Sequence, residues 1–312
     1  MKGAGLSSSM RRWIQAVVWG LLLAVLPVAR AEDSHVLVLG RISDDPAAHY
    51  DQLKALLDYV VPRMREVGIT EGRVLMARDA QQMASYLRRG RVDWVTETAS
   101  TAVQLQKRAG ARLLLLTERG GVSRYHTVFF ARRGGPVRTL QDLRGRTLAL
   151  QSTASTSAYM VPMTTLLEAG LEPEILLSPG DLPSAGRVGY LFARSELNIT
   201  VWVQKRLVDA GAISNLDWSD PDRMPPAFKA DLEVFHETPA YPRALELVRA
   251  DLRPEVEARL REVLLEAAAD PEAGQALKLF FDTSRFLPLD QELERALDGL
   301  RAGVARVRAE VE

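Results

Sequence analysis

Short apolar runs alternate along the chain with segments in which apolar residues recur every three or four positions. Residues 36–42 (VLVLGRI) are rich in leucine and β-branched residues, which is typical of a strand buried on both faces. The segment 50–64 has the spacing of a helix with one buried face. Further strands are predicted at 73–77, 92–96 and 112–117, with helices between them. This alternation predicts an α/β fold with mostly parallel sheets.

The alternation begins again near residue 126 and predicts a second α/β unit. Strands are predicted at 126–131, 147–150, 188–193 and 209–214. A further strand at 232–236 could lead the chain back to the first unit, and the residues after it are predicted to be helical. We therefore expect two lobes. The first lobe would comprise 32–130, the second 131–231, and the segment 232–312 would return to the first lobe and end in C-terminal helices.

The first 31 residues have the pattern of a secretory signal peptide. Basic residues precede an uninterrupted apolar run at 16–26, and Ala29-Arg30-Ala31 offers the small residues of a cleavage site. The apolar run is shorter than the ~20 residues of a membrane-spanning helix. We expect cleavage after Ala31, export to the periplasm, and no membrane anchor in the mature protein.

Composition and charge exclude several classes of function. The 312 residues include 40 Lys and Arg, 40 Asp and Glu, four His and no Cys. A chain without Cys forms no disulfide and no Cys-ligated metal centre, and the histidine spacing is not that of a metal site, so neither metal nor cofactor is expected. Balanced charge argues against a nucleic-acid partner. Removal of 1–31 takes away four basic residues and leaves a net charge of −4.

The segment 151–162 (QSTASTSAYMVP) is unusually rich in small and hydroxylated residues. It follows the strand predicted at 147–150 and begins a helix. Ser155, Thr156 and Ser157 would therefore offer hydroxyl and backbone N–H groups at a helix N-terminus, where an anion is favoured. One of them could simply be the N-cap. Because a cap needs only one hydroxyl, we interpret the run as a site for a tetrahedral oxyanion, which would need no Lys or Arg.

The same segment resembles that of a known family. The run 155–159 (STSAY) followed by Pro162 is similar to the S-T-S-G-Y-x-x-P segment of the phosphate-, phosphite- and phosphonate-binding proteins of bacterial ABC importers. The similarity extends in order from about Tyr50 to Phe286. It implies a type II periplasmic binding protein, in which two lobes joined by hinge crossover strands close on a ligand and then dock on a membrane permease.

The resemblance also implies which residues line the cleft. In that family the S-T-S residues hold the phosphonate or phosphite oxygens. The resemblance therefore implies this role for Ser155, Thr156 and Ser157. An aromatic residue of the first lobe and acidic residues of the second would complete the site. The further candidates are Tyr50, Thr101, Tyr125, Glu196 and Asp209. Tyr50 could instead pack in the core, and Asp209 could be an exposed turn residue.

Several positions depart from the family pattern. Ser152 and Thr153 stand where Asp-Pro is usual, and Ala158 replaces a Gly, which limits how closely a bulky ligand can approach the backbone. Thr101 lies near the position of a cleft-facing aromatic residue. Glu97 would be unfavourable beside an anion unless it meets an amine or a protonated oxygen. The non-anionic half of the ligand is therefore left open.

Two alternative functions stay open beside a monomeric, non-enzymatic solute-binding protein. The same fold could report to the ectodomain of a membrane sensor in place of a permease, which the departures from the family pattern would explain. A less favoured alternative is an exported serine hydrolase that uses Ser155 or Ser157. The chain has no G-x-S-x-G motif, and a general base would have to come from a histidine such as His126.

Overall fold

Two six-stranded sheets form the framework of this computed structural model, which describes residues 35–43 and 45–312. From edge to edge, the first sheet contains β14 (Thr283–Leu287), β4 (Arg112–Arg119), β13 (Ala244–Val248), β3 (Trp94–Glu97), β1 (Val36–Ile42) and β2 (Glu71–Ala77). The second contains β11 (Leu232–Glu237), β6 (Thr127–Arg132), β10 (Ala210–Ser214), β7 (Thr147–Leu150), β9 (Val188–Phe192) and β8 (Pro173–Ile175). The signal peptide expected at 1–31 lies outside the described residues.

Helices follow most strands, as the alternating pattern predicts. In the first part of the chain they are α1 (Pro46–Val60), α2 (Ala80–Arg88), α3 (Ala99–Ala109), α4 (Val161–Glu168) and α5 (Glu196–Gln204). They continue with α6 (Asn215–Ser219), α7 (Pro226–Lys229), α8 (Pro254–Glu266), α9 (Gly274–Leu279) and α10 (Gln291–Glu310). Within the part of the chain that the structure describes, no helix has the length and apolar character needed to cross a bilayer.

Both sheets are mixed, with parallel pairing at one end and antiparallel pairing where the chain passes between them. Strands β2, β1 and β3 pair in parallel, as do β8, β9, β7 and β10. A two-stranded ribbon, β5 (Arg124–Tyr125) with β12 (Tyr241–Pro242), lies on the two connections between the sheets. Carboxyl ends of parallel strands share one edge of a sheet, which is where open α/β sheets bind ligands.

The return of the chain to the first sheet differs from the expectation at residue 232. Strand β11 pairs antiparallel with β6 and is therefore part of the second sheet. The chain returns through β12 to β13, a strand that the sequence pattern does not predict. Its central Glu246 interrupts the apolar run, yet this carboxylate is buried and accepts hydrogen bonds from Trp94 Nε1 (2.6 Å), Thr96 Oγ1 (2.8 Å) and Thr117 Oγ1 (2.7 Å).

The C-terminal helix α10 packs against elements of both sheets. It contacts α3, which follows β3 of the first sheet, and α4, which belongs to the second. Arg308 Nη2 donates to Gln104 Oε1 of α3 (2.9 Å), and Tyr159 Oη donates to Glu312 Oε1 (3.0 Å). One hydrophobic cluster includes residues of both sheets and of α10. The two sheets therefore share part of their core.

Close packing of α10 on α4 predicts different effects for two glycines of the same helix. A Cβ at Gly303 would lie 2.5 Å from Thr164 Cγ2, whereas a Cβ at Gly299 meets nothing within 4 Å. Both substitutions gain helix propensity, but Gly303→Ala also overpacks the contact. We expect its free energy of unfolding to fall about 1–3 kcal/mol below that of Gly299→Ala in urea titrations. Equal stability of the two variants would contradict this packing.

Candidate functional site

A cleft of about 510 Å³ lies where carboxyl ends of strands from both sheets meet. The first sheet and its connections contribute Arg41, Ser43, His49, Arg78, Glu97 and Thr101. The second contributes residues 151–157, Glu196, Ser214, Asp217 and Arg223. Tyr125 and Arg243 come from the connections between the sheets. The cleft thus receives side chains from both halves of the fold.

The hydroxyl-rich segment forms a single wide turn before α4. Ser155 is the N-cap, because its Oγ accepts from the Ala158 N–H (3.0 Å), and its carbonyl accepts from the Met160 N–H (3.0 Å), five residues on. The π-helical turn Thr156–Met160 accommodates a non-helical backbone at Ala158 (φ −112°, ψ 19°). The N-cap interpretation is therefore correct for Ser155, and the segment also lines the cleft.

The hydroxyl group of Thr156, which follows, is already engaged within the protein. Thr156 Oγ1 accepts from the Ser100 N–H (3.1 Å) and shares a hydrogen bond with Ser100 Oγ (2.6 Å), which joins the turn to the start of α3. Ser157 and Tyr125 are both buried and line the cleft. Burial raises the pKa of the Tyr125 phenol, an effect that the nearby Arg243 charge opposes. An anion at this turn would therefore meet Ser157 and Tyr125 more directly than Thr156.

Arginines line the cleft, contrary to the expectation that an oxyanion site would need no cationic side chain. Arg41, Arg78, Arg223 and Arg243 all face it. The sequence pattern does not single them out, because the chain has 34 Arg and only their position at strand ends and loops brings them together. Guanidinium groups offer paired donors that suit carboxylate and phosphate oxygens.

Two acidic side chains accompany these arginines. Glu97 ends β3 and is buried, and its carboxylate accepts from the Ile42 N–H (2.7 Å). Burial raises the pKa of Glu97, whereas the charge of Arg41 opposes the shift. Glu196, the first residue of α5, lies 3.4 Å from Arg223 Nη1, and burial followed by the charge of Asp217 raises its pKa. Both acids thus face cationic partners.

Other predicted site residues differ in their placement. Thr101 and Tyr125 are buried and line the cleft, and the ring of Tyr125 packs edge-on against Tyr241 with centroids 4.7 Å apart. Tyr50 is 46% exposed on α1, is absent from the cleft lining among the described residues, and is not part of the core. The neighbouring His49 lines the cleft.

Asp209 lies at the opposite end of the second sheet from the cleft. It precedes β10, and its carboxylate accepts from the Thr147 N–H (2.9 Å) and Oγ1 (3.0 Å) at the start of β7. Its other oxygen lies 3.7 Å from Arg146 Nη1. The cleft is formed beyond Ser214, at the carboxyl end of β10. The structure therefore places Asp209 outside the cleft lining among the described residues, where it joins two parallel strands.

The first sheet has a matching aspartate. Asp93 precedes β3, and its Oδ2 accepts from the Val38 N–H of β1 (2.8 Å), while its Oδ1 accepts from Arg249 Nε (2.8 Å). The Val-Asp pair that recurs in the sequence at 92–93 and 208–209 thus marks the same junction in both sheets. The repeat reflects strand pairing and not ligand binding.

Comparison with known proteins agrees with this architecture. The fold resembles that of PhnD1 from Prochlorococcus marinus in complex with methylphosphonate (TM-score 0.65, 17% identity, 89% of this chain and 100% of that chain). It also resembles the aliphatic sulphonate binding protein SsuA from Escherichia coli (TM-score 0.52, 16% identity, 89% of each chain). The protein therefore has the fold of a type II periplasmic binding protein, as predicted.

The sequence identifies the family within that fold. Residues 42–293 match the family described as the periplasmic phosphonate substrate-binding protein of ABC transporters. XAC2383 from Xanthomonas citri is 58% identical in a structure bound to chloride ion and 57% identical in one bound to ATP. Each match has a TM-score of 0.85 and covers 89% of this chain and 100% of that chain. The protein belongs to this phosphonate-binding family, and the predicted resemblance is confirmed.

The geometry does not favour the hydrolase alternative. Among the described residues, neither Ser155 nor Ser157 has a hydrogen bond with an imidazole, and His126 Nε2 lies 3.2 Å from a carboxylate oxygen of Glu237. A Ser–His contact does occur at the cleft, between Ser43 Oγ and His49 Nδ1 (2.6 Å). The Ser43 hydroxyl also accepts a backbone N–H just before α1, so the pair stabilises the start of that helix.

Replacement of Asp209 separates its structural role from ligand binding. We expect Asp209→Asn to lower the free energy of unfolding by about 1–3 kcal/mol, since it weakens the contacts with Thr147 and Arg146. The Kd for ATP or methylphosphonate, measured by calorimetry, is expected to change by less than about two-fold because the sites are remote. A loss of affinity at unchanged stability would return Asp209 to the ligand site.

Proposed function

We propose that the protein is the solute-binding component of an ABC importer and captures a phosphorus oxyanion between two lobes. The observation that carries the proposal is the composition of the cleft. The turn Thr156–Met160, with its cap Ser155, lies on one side, and the guanidinium groups of Arg41 and Arg243 lie towards the first sheet. Family membership supports the same class of ligand.

The electrostatics of the cleft suit an anion. The mature chain would carry a net charge of −4, so attraction must come from local groups. Hydrogen bonds from guanidinium to phosphorus-bound oxygens are short and about twice as strong as neutral ones. The Ser157 hydroxyl and the Tyr125 phenol also line the cleft and would donate to the phosphoryl group bound at the turn. These groups recognise the anion without any covalent step.

The range of ligands comes from related proteins. PhnD1 from Prochlorococcus marinus has been solved with methylphosphonate, and XAC2383 with ATP and with chloride ion. All three are anions, and two of them carry oxygens on phosphorus. We propose that the ligand of this protein shares that group, with its remaining part set by the wider cleft.

Closure of the lobes would occur about the ribbon of β5 and β12. Each connection between the sheets passes through this ribbon, and Thr127 Oγ1 hydrogen-bonds with Tyr241 Oη (2.7 Å) beside it. We propose that the second lobe extends to Glu237, because β11 belongs to its sheet. A ligand that contacts both lobes would favour the closed state by its additional contacts.

The cellular setting follows from the family and from the N-terminal sequence pattern. We propose that residues 1–31 direct export and that the mature protein acts as a monomer in the periplasm, where it delivers its ligand to a membrane permease. The family match supports the periplasmic location, and the basic, apolar and small-residue regions at the N-terminus support the signal peptide.

Calorimetry with a set of anions tests the ligand class. We expect the purified protein to bind at least one of phosphate, phosphite, methylphosphonate, 2-aminoethylphosphonate and ATP. Ser157→Ala should weaken that binding about 10-fold or more, since it removes a hydroxyl aimed at the anion. Thr139→Ala, which removes a hydroxyl cap outside the cleft, should leave the Kd unchanged. No heat and no shift in melting temperature with any of the five would contradict the proposal.

A further inference from the structure

Three guanidinium groups lie near one another on the first-sheet side of the cleft, and two of them, those of Arg41 and Arg243, belong to residues that line it. Arg41 is near the end of β1, Arg119 is the last residue of β4, and Arg243 lies between β12 and β13. Arg119 is only 9% exposed. Burial and the charges of Arg41 and Arg243 lower the pKa of Arg119 to about 9. These three residues, which we call the arginine cluster, therefore repel one another at short range.

Several donors of the arginine cluster are not paired within the protein. Nε and Nη1 of Arg41, Nε of Arg119 and Nε of Arg243 are buried, and none of these atoms has a hydrogen-bond partner among the described residues. Buried donors without an acceptor are costly, and charged ones more so. Arg41 and Arg243 also line the cleft. Their free donors therefore lie where a ligand could supply the missing acceptors.

Nearby carboxylates do not balance the arginine cluster. Glu246 and Glu97 are both buried beside it, so two carboxylates face three guanidinium groups, and burial raises the pKa of each carboxyl while the charge of Arg119 opposes the shift. The oxygens of Glu246 accept from Trp94, Thr96 and Thr117. Those of Glu97 accept from the backbone N–H groups of Ile42 and Thr98. The arginine cluster thus keeps an excess of positive charge next to the cleft.

An aromatic ring holds two of the guanidinium groups in place. The Cζ atom of Arg41 lies 4.2 Å from the ring centroid of Phe281, and that of Arg119 lies 4.5 Å from the same centroid. Phe281 and Asp282 both have left-handed backbone conformations (φ 55° and 54°), which are strained for residues with a side chain. Stacking on a ring face leaves the edge of a guanidinium free to donate in its plane.

We propose that Arg41, with Arg243 beside it, forms a second anion subsite opposite the turn at Ser155–Met160, and that it selects ligands with two or more linked anionic groups. The proposal rests on the proposed function, because the two subsites share one cleft. A volume of about 510 Å³ lies in the ~300–1,000 Å³ range of sites for ligands much larger than a single phosphate. One phosphoryl group would bind at the turn, and the next would reach Arg41.

A comparison of pyrophosphate with methylphosphonate tests this subsite. We expect the purified protein to bind pyrophosphate more tightly than methylphosphonate by about 10-fold or more, since the second group gains charge-assisted hydrogen bonds. Arg41→Gln should weaken pyrophosphate binding by about 10-fold or more and change methylphosphonate binding by less than about three-fold. Arg41→Lys keeps the charge but not the planar guanidinium group, so it should retain part of the preference for pyrophosphate over methylphosphonate. This conservative variant also shows whether the loss in Arg41→Gln comes from a folding defect.

Arg78→Gln provides the matched control. Arg78 lines the same cleft and has the same charge, but its side chain is 82% exposed and pairs with Asp79. The Arg78→Gln substitution should therefore weaken the binding of both ligands slightly and to the same extent. Equal affinity of the wild type for the two ligands, or an equal loss of both in Arg41→Gln, would overturn the second subsite while leaving the proposed function intact. Failure of the wild type to bind either ligand or any other phosphorus oxyanion would overturn both.

Discussion

Burial of guanidinium charge that the chain does not fully pair is the constraint on which the cleft depends. Arg41, Arg119 and Arg243 lie close enough to repel one another, and the two buried glutamates beside them are already engaged by other donors. Such an arrangement is unfavourable in isolation. An anion with several oxygens would supply acceptors to these donors. The unpaired donors thus lower the stability of the unliganded protein and raise its affinity for the anion. The left-handed backbone at Phe281 is also unfavourable, and it is kept at the residue whose ring supports two of the guanidinium groups.

The second determinant is the contact between the halves of the fold. Thr156 uses its hydroxyl to bind Ser100 at the start of α3, and α10 packs against helices of both sheets. The resemblance to the family implies that Thr156 holds ligand oxygens, but in this structure its hydroxyl is hydrogen-bonded to Ser100. The departures at Ser152, Thr153 and Ala158 lie in the same turn. The turn and the arginines nevertheless line one cleft.

Much of the fold could be predicted from the sequence, because apolar runs and helical spacing report burial directly. Strand β13 could not, since Glu246 interrupts its apolar pattern and only the tertiary fold supplies three donors to that carboxylate. The turn before α4 could be predicted because its hydroxyl residues cap the helix locally, as Ser155 does in the structure. Asp209 was proposed for the site from the family resemblance, whereas the structure shows that its carboxylate joins two strands. The arginine cluster has no local signal, since it comes from three distant strand ends.

A crystal structure of the purified protein with pyrophosphate is the most direct measurement of the central claim that the cleft is a two-part anion site. We predict one phosphoryl group at the turn that Ser155 caps and the other within hydrogen-bond distance of Arg41 Nε or Nη1, with the Thr156–Ser100 contact retained. Pyrophosphate bound outside the cleft, or within it but out of reach of Arg41, would contradict this account.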